Sequence, residues 1–368
     1  MTNRTRSNQQ VTNQKAKLEM KAAIFNGKGT ITVEDRPKPT INEPTDAVVR
    51  VVLACVCGSD LWFYRGISEL AHGGVGHEFI GVVDEVGGEV KDLAVGDFVI
   101  SPSSWSDGTC RNCQHGFHTA CVHGGFFGQG GDGDGGQAEY VRVPHADGTL
   151  VKVEGSDFSD ETLASLLALT DVMATGYHAA VSADVQQGQT VAVVGDGAVG
   201  LCGVLASKLL GAQRVIVLGS SHEDRHALAR EFGATDIISV RGGEAVEQLK
   251  ALTDGFGADA VLECVGTKAS VEAAFAVAAA GAIVGRVGVP HDVELDAEGT
   301  FYRNVGMRGG PAPARAYQPE LLKQVLDGSI NPGKVFDASF DLDDIAAAYA
   351  AMDERRVIKA LVKVGELA

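Results

Sequence analysis

No apolar run in this chain of 368 residues reaches the eighteen or so that a membrane-spanning helix needs. An excess of positive charge is missing too. The 31 Lys and Arg stand against 48 Asp and Glu, for a net charge of −17. That balance argues against nucleic acid or an anionic membrane as a partner, and an anionic cofactor would need a local patch of positive potential. Cysteine is scarce and unevenly spread. Of the seven, five fall between 55 and 121, while Cys202 and Cys264 sit singly in apolar stretches. An odd number so clustered fits metal binding in a reducing cytosol better than a disulfide framework, so a cytoplasmic location is expected. There is no internal repeat and no low-complexity linker. The polar opening "MTNRTRSNQQVTNQKAKLE" has no apolar centre, so it is no secretory signal and reads as a disordered extension over 1–19.

What is present is a soluble composition, 45% hydrophobic and 21% charged, long enough for two domains. From 20 to about 150, short apolar runs such as "AVVRVVLACV", "FIGVVDEVG" and "AEYVRVP" are cut by Gly, Pro and Asp and read as strands. At Gln187 the character changes to strand–helix alternation: "TVAVVGDGAVGLCGVLASKLLGA", then "RVIVLGS", "HEDRHALAREFGA" and "DAVLECVG". The prediction is an α/β protein. A β-rich catalytic region over 20–180 is rejoined by 325–368, and 181–324 forms a doubly wound parallel sheet of the Rossmann type.

The glycine turn "GDGAVG", Gly195 to Gly200, follows an apolar strand and opens a helix. In that context Gly195 makes the tight turn and Gly197 admits a pyrophosphate. Gly200 permits close helix–sheet packing, and the helix start at Ala198 and Val199 supplies amide donors. The next strand usually ends in an acid that reads the ribose 2′-hydroxyl of NAD. Here it ends in Gly219, Ser220 and Ser221. With no carboxylate there, Ser220, Ser221, His222 and Arg225 are placed to hydrogen-bond a 2′-phosphate, so NADP(H) is favoured over NAD(H). The serines are also readable as a cap for the following helix.

Three separated residues suggest a catalytic metal. Cys57 is followed by "GSD", His77 by Glu78, and Asp171 interrupts the apolar "LLALTDVMATGYHAA". Cys, His and Asp are zinc ligands, and three of them with an open position make a catalytic site. Each also has a plainer reading: buried packing for the cysteine, a satisfied polar group for the histidine, a helix cap for the aspartate. A second signal is "DGTCRNCQHGFHTAC", with Asp107, Cys110, Cys113 and Cys121 separated by three, three and eight positions.

Together the run "CVCGSDL…GHE…GDFV…CRNCQHGFHTAC…GGQAEYVRVP…TDVMATGYHA…VVGDGAVG" resembles the zinc-dependent alcohol dehydrogenases of the medium-chain dehydrogenase/reductase superfamily, from about Met20 onward. The resemblance implies a GroES-like catalytic domain beside the cofactor domain, with Cys57 and His77 as catalytic zinc ligands and Glu78 as the adjacent acid. Asp171 stands where many members have a third, cysteine ligand, as in the formaldehyde-dehydrogenase-like branch. Thiolate and carboxylate each bring one negative charge. Cys55, which lacks the following "GSD", is read as packing. Asp107, Cys110, Cys113 and Cys121 map onto the structural-zinc lobe with its first cysteine replaced by an acid. The harder oxygen donor lowers the expected affinity for zinc. His115, His118 and His123 are alternates that depart from the family spacing.

By the same resemblance, zinc acts as a Lewis acid, Ser59 holds the first proton-relay hydroxyl, Thr175 contacts the nicotinamide, and Asp60 supports the metal ligands. Trp62 replaces the histidine that continues the relay in many members. Trp62 and Phe63 either wall an apolar substrate pocket or pack the lobe. The expected activity is hydride transfer between a primary or secondary alcohol, or its aldehyde or ketone, and NADP(H). Rival readings are an NAD-dependent polyol, amino-alcohol or formaldehyde-type dehydrogenase, and a non-catalytic dinucleotide-binding zinc protein. The partners implied are a small alcohol or carbonyl substrate and copies of the chain itself, as homodimer or homotetramer.

Overall fold

The computed structural model describes residues 19–131, 135–155 and 157–367. The extension expected over 1–19 lies outside these residues except for Glu19. The chain divides into two compact units. One runs to Leu167 and resumes at Phe336; the other spans Ala168–Val335.

The first unit is built on β1 (Glu19–Phe25), β2 (Ile31–Pro37), β3 (Ala47–Cys55), β4 (Phe79–Val86) and β5 (Phe98–Ile100). Strands β1 and β2 pair as an antiparallel hairpin. β3 is central to a larger sheet: antiparallel β4 lies on one side, and the C-terminal strand Lys359–Lys363 pairs antiparallel on the other. Every residue of β3 but Arg50 is buried, which is why its sequence is an almost unbroken apolar run. The core gathers Val49, Val51, Phe79, Val83, Phe127 and Tyr349. Phe127 meets both Phe79 and Trp105 edge-on, with centroids 5.2 Å apart in each pair. Leaving β3, the chain turns at Val56–Ser59 into the short helix α1 (Asp60–Tyr64), so the end of a rigid central strand positions whatever that turn carries.

The second unit contains α2 (Val172–Ser182), β6 (Thr190–Val194), α3 (Ala198–Leu209), β7 (Arg214–Leu218), α4 (Glu223–Glu231), β8 (Asp236–Ile238), β9 (Ala258–Glu263), β10 (Ala278–Arg286) and β11 (Gly306–Gly309). The six strands are all parallel, in the order β8-β7-β6-β9-β10-β11. That is the doubly wound dinucleotide order, whose ligand crevice lies beyond the carboxyl ends of the strands where the direction of winding reverses, at β6. Val194 is level with Leu218, so the turns leaving β6 and β7 emerge side by side.

Candidate functional site

In the first unit, Cys57 sits in the turn after β3. Its N–H donates to Asp60 Oδ2 at 3.1 Å, while the Asp60 N–H donates to its carbonyl at 3.2 Å. Asp60 is 2% exposed, and its other oxygen lies 3.4 Å from His77 Nδ1. This occupies one ring nitrogen and leaves Nε2 as the donor atom. Behind Asp60 runs a buried polar chain. Tyr349 donates to Gln137 Oε1 at 3.0 Å, and Gln137 Nε2 donates to Cys55 O at 3.0 Å and Asp60 Oδ2 at 3.4 Å. Candidate donor atoms of Cys57, His77 and Glu78 lie within 4.8 Å of one another. Burial pushes the Cys57 thiol up, and His77 beside it pulls the other way.

Glu78 is fully buried. Its Oε1 accepts from Lys359 Nζ at 2.7 Å, and its Oε2 has no hydrogen-bond partner. A cation among these donors would satisfy that oxygen, and a set of sulfur, imidazole and carboxylate suits zinc. Lys359, 2% exposed, also donates to Val56 O at 3.1 Å. Sequence reasoning missed it; the signal was a lone lysine in the apolar "VIKALV". Cys55 is fully buried beside this cluster, and burial, reinforced by the Glu78 carboxylate, pushes its thiol well up. Ser59 is half-buried at the start of α1. Phe63 packs edge-on against Phe25 at 5.1 Å in the core, and both rings also line a cavity. Trp62 is half-buried.

The lobe at 107–123 brings Asp107, Cys110, Cys113 and Cys121 together, again within 4.8 Å. The Cys110 sulfur lies 3.5 Å from that of Cys113 and 3.8 Å from that of Cys121. These separations are far beyond a disulfide bond and close to the ~3.8 Å between sulfurs in a tetrahedron with Zn–S bonds of about 2.3 Å. Asp107 Oδ1 accepts N–H bonds from Thr109 at 2.8 Å and Cys110 at 2.9 Å, and Oδ2 lies 2.7 Å from His123 Nδ1. Partial burial raises the Asp107 carboxyl, but the Cys110 amide, His123 and the Thr109 amide outweigh it and hold the group well below the usual carboxylate range. Burial, reinforced by the sulfurs of Cys110 and Cys121, pushes the Cys113 thiol up to about 12. His123 therefore orients the acid, and neither it nor His115 nor His118 joins the converging donors.

In the second unit the glycine turn is tightly drawn. Gly195 has φ +110°, and a Cβ on Gly200 would lie 2.0 Å from the Gly195 carbonyl oxygen. Gly197 faces open space at the start of α3, with Ala198 and Val199 as its first residues. Asp171 precedes α2, but its side chain makes no capping bond there. Its Oδ1 instead accepts from Thr175 Oγ1 at 2.5 Å.

Beyond β7, Ser221 and His222 are exposed, while Ser220, Arg225 and His226 are buried. The end of β7 itself carries no carboxylate, as its sequence reads, but the neighbouring turn brings one against it. Asp196, the second residue of the glycine turn and 5% exposed, accepts at Oδ2 from Ser220 N at 2.7 Å and Ser220 Oγ at 2.5 Å. Sequence reasoning gave Asp196 no role.

The sequence was compared with known proteins. A family profile described as alcohol dehydrogenase GroES-like domain matches residues 43–155, and one described as zinc-binding dehydrogenase matches 198–326. Zinc-type alcohol dehydrogenase B of Aspergillus flavus is 34% identical over 95% of this chain and 82% of its own length. A glutathione-independent formaldehyde dehydrogenase of Bacillus subtilis is 31% identical over 91% of this chain and 94% of its own. Among solved structures, the alcohol dehydrogenase of Thermus sp. ATN1 matches with a TM-score of 0.87 at 30% identity, over 94% of this chain and 100% of that one.

Proposed function

The chain belongs to the zinc-dependent alcohol dehydrogenase family of the medium-chain dehydrogenase/reductase superfamily, and from that premise we propose that it transfers hydride between a primary or secondary alcohol and a nicotinamide dinucleotide. The observation that carries the reading is the convergence of Cys57, His77 and the orphaned oxygen of Glu78 at the end of β3. A cation held among these donors would satisfy that oxygen, and a zinc held by three protein groups keeps a position open for a substrate oxygen. We assign Cys57, His77 and Asp171 as the catalytic zinc ligands. Asp171 is supported by its place in the family pattern and by a side chain that does not cap its helix. Asp107, Cys110, Cys113 and Cys121 are assigned to a structural zinc.

A zinc held by these residues would supply Lewis acidity, and a bound nicotinamide would supply the hydride acceptor or donor. The protein's own groups do the rest. Asp60 fixes the His77 ring through Nδ1, and the Ser59 hydroxyl takes the alcohol proton or returns it. Trp62 has no titratable group, so the proton would leave Ser59 by water or, with a dinucleotide bound, by way of its ribose. Thr175 holds the Asp171 carboxylate with its hydroxyl and faces the nicotinamide. Gly195, Gly197, Ala198, Val199 and Gly200 bind the pyrophosphate, and residues 219–225 border the adenosine ribose.

The sequence pattern alone favours NADP(H); the position of Asp196 weighs toward NAD(H), as argued below. The Bacillus subtilis relative named for formaldehyde makes a formaldehyde-type substrate the second reading. A cytoplasmic homodimer or homotetramer is the proposed form; no helix among the described residues is long and apolar enough to cross a membrane. The test is metal content with an alcohol and aldehyde panel on both dinucleotides. Two zincs per chain and alcohol-dependent reduction of a dinucleotide are expected, with activity lost in Asp171→Ala and retained in Cys55→Ala. A zinc-loaded protein inert toward every alcohol and aldehyde overturns the reading.

A further inference from the structure

We propose that Asp196 selects the dinucleotide: its carboxylate receives the ribose 2′-hydroxyl of NAD(H) and excludes the 2′-phosphate of NADP(H). This rests on the dehydrogenase reading above and assigns a specificity-determining residue to the same cofactor site.

In doubly wound nucleotide folds the ribose reader is an acid at the end of the second strand, here β7. The chain puts Gly219-Ser220-Ser221 there. Strands β6 and β7 are parallel neighbours with Val194 level with Leu218, so the turn after β6 folds over the end of β7. That turn carries Asp196. Its Oδ2 takes both the N–H and the hydroxyl of Ser220, at 2.7 and 2.5 Å. Gly219 is shaped by the same contact: a Cβ there would lie 2.8 Å from the Asp196 Cβ and from its Oδ2. The negative charge missing from the second strand is therefore restored in space by a residue 24 positions earlier.

The groups that would welcome a phosphate are already committed to this carboxylate or its neighbours. Arg225, 6% exposed, donates through Nη1 to the Asp196 carbonyl at 3.3 Å, and the same nitrogen lies 3.8 Å from Oδ1. His226 Nε2 lies 2.6 Å from Ser220 O. The Ser220 hydroxyl points at Asp196, leaving the exposed Ser221 and His222 at the rim. A phosphate monoester brings about −1.5 to −2 charges near neutral pH. One buried guanidinium already set against one buried carboxylate does not balance that addition. A ribose hydroxyl, in contrast, is a neutral donor that a carboxylate accepts without any added charge to balance.

The experiment is calorimetric titration of the full-length zinc-loaded protein with NADH and NADPH, and with the fragments 5′-AMP and 2′,5′-ADP. The wild type is expected to bind NADH more tightly than NADPH by roughly tenfold or more, with 5′-AMP ahead of 2′,5′-ADP. Asp196→Asn, which keeps the shape and removes the charge, and the smaller Asp196→Ser should both close that gap mainly by strengthening NADPH. Equal or tighter NADPH binding by the wild type overturns the proposal, as does a variant that moves both dinucleotides by the same factor. Folded wild type that binds neither dinucleotide overturns the dehydrogenase reading and the selector with it. Binding of NADH without turnover of any alcohol overturns only the former.

Discussion

Lys359 and Glu78 form a pair in which neither side chain reaches solvent. A buried pair is weak evidence of net stability, but removing one partner strands a charge at a cost of about 3–5 kcal/mol. Lys359→Met should therefore lower stability to denaturant by about that amount. Adding Glu78→Gln should recover much of it, and a double-mutant cycle by urea unfolding measures the coupling. His178 gives the second prediction at this scale. It is 7% exposed, its Nδ1 lies 2.8 Å from Tyr317 OH, and burial lowers its pKa from 6.5 to about 4. Between those values the unfolded chain binds a proton that the folded one refuses. Stability is thus complete above pH 6.5 and falls as pH drops toward 4, by up to about 3 kcal/mol. His178→Gln should flatten unfolding free energy against pH in that window. None of these pairings was legible in the sequence, because Lys359 and Glu78 lie 281 positions apart.

At the scale of elements, the metal lobe and the glycine turn differ in how much the sequence disclosed. The spacing of Asp107, Cys110, Cys113 and Cys121 announced that these side chains converge, since a short loop leaves them little choice of partner. The role of His123 was hidden, because a histidine next to three cysteines reads as another ligand until its ring is seen on the carboxylate. Asp107→Ala should leave about one zinc per chain, measured by elemental analysis, and expose thiols to alkylation at a rate near that of a free loop cysteine. In the turn, Gly200 is required because its hydrogen faces the Gly195 carbonyl. The glycine pattern announced this closeness, but not that the residue between the first two glycines reaches across to β7.

For the whole molecule, the net charge of −17 sets a field that an anionic dinucleotide must enter. Local amide donors at the start of α3 would hold it once bound, but the long-range force opposes approach. Salt screens that force, so the association rate of NADH should rise, roughly twofold, between low and near-physiological ionic strength, as stopped-flow would show. A rate that falls with salt would mean that a positive local patch dominates the approach.

The linear order of residues was enough to determine the family, the parallel α/β unit with its glycine turn, the β-rich unit built on β3, and the clustering of Asp107, Cys110, Cys113 and Cys121 that a short loop imposes. These rest on periodicity and on residues a few positions apart, where chain connectivity fixes distance. Only the folded structure decided that Lys359 lies against Glu78, that Phe63 packs on Phe25, and that Asp196 reaches Ser220 at the end of β7. Each of these joins side chains from different strands or turns. Their proximity comes from sheet register and from the burial of polar groups that need a partner, and neither is written in local order.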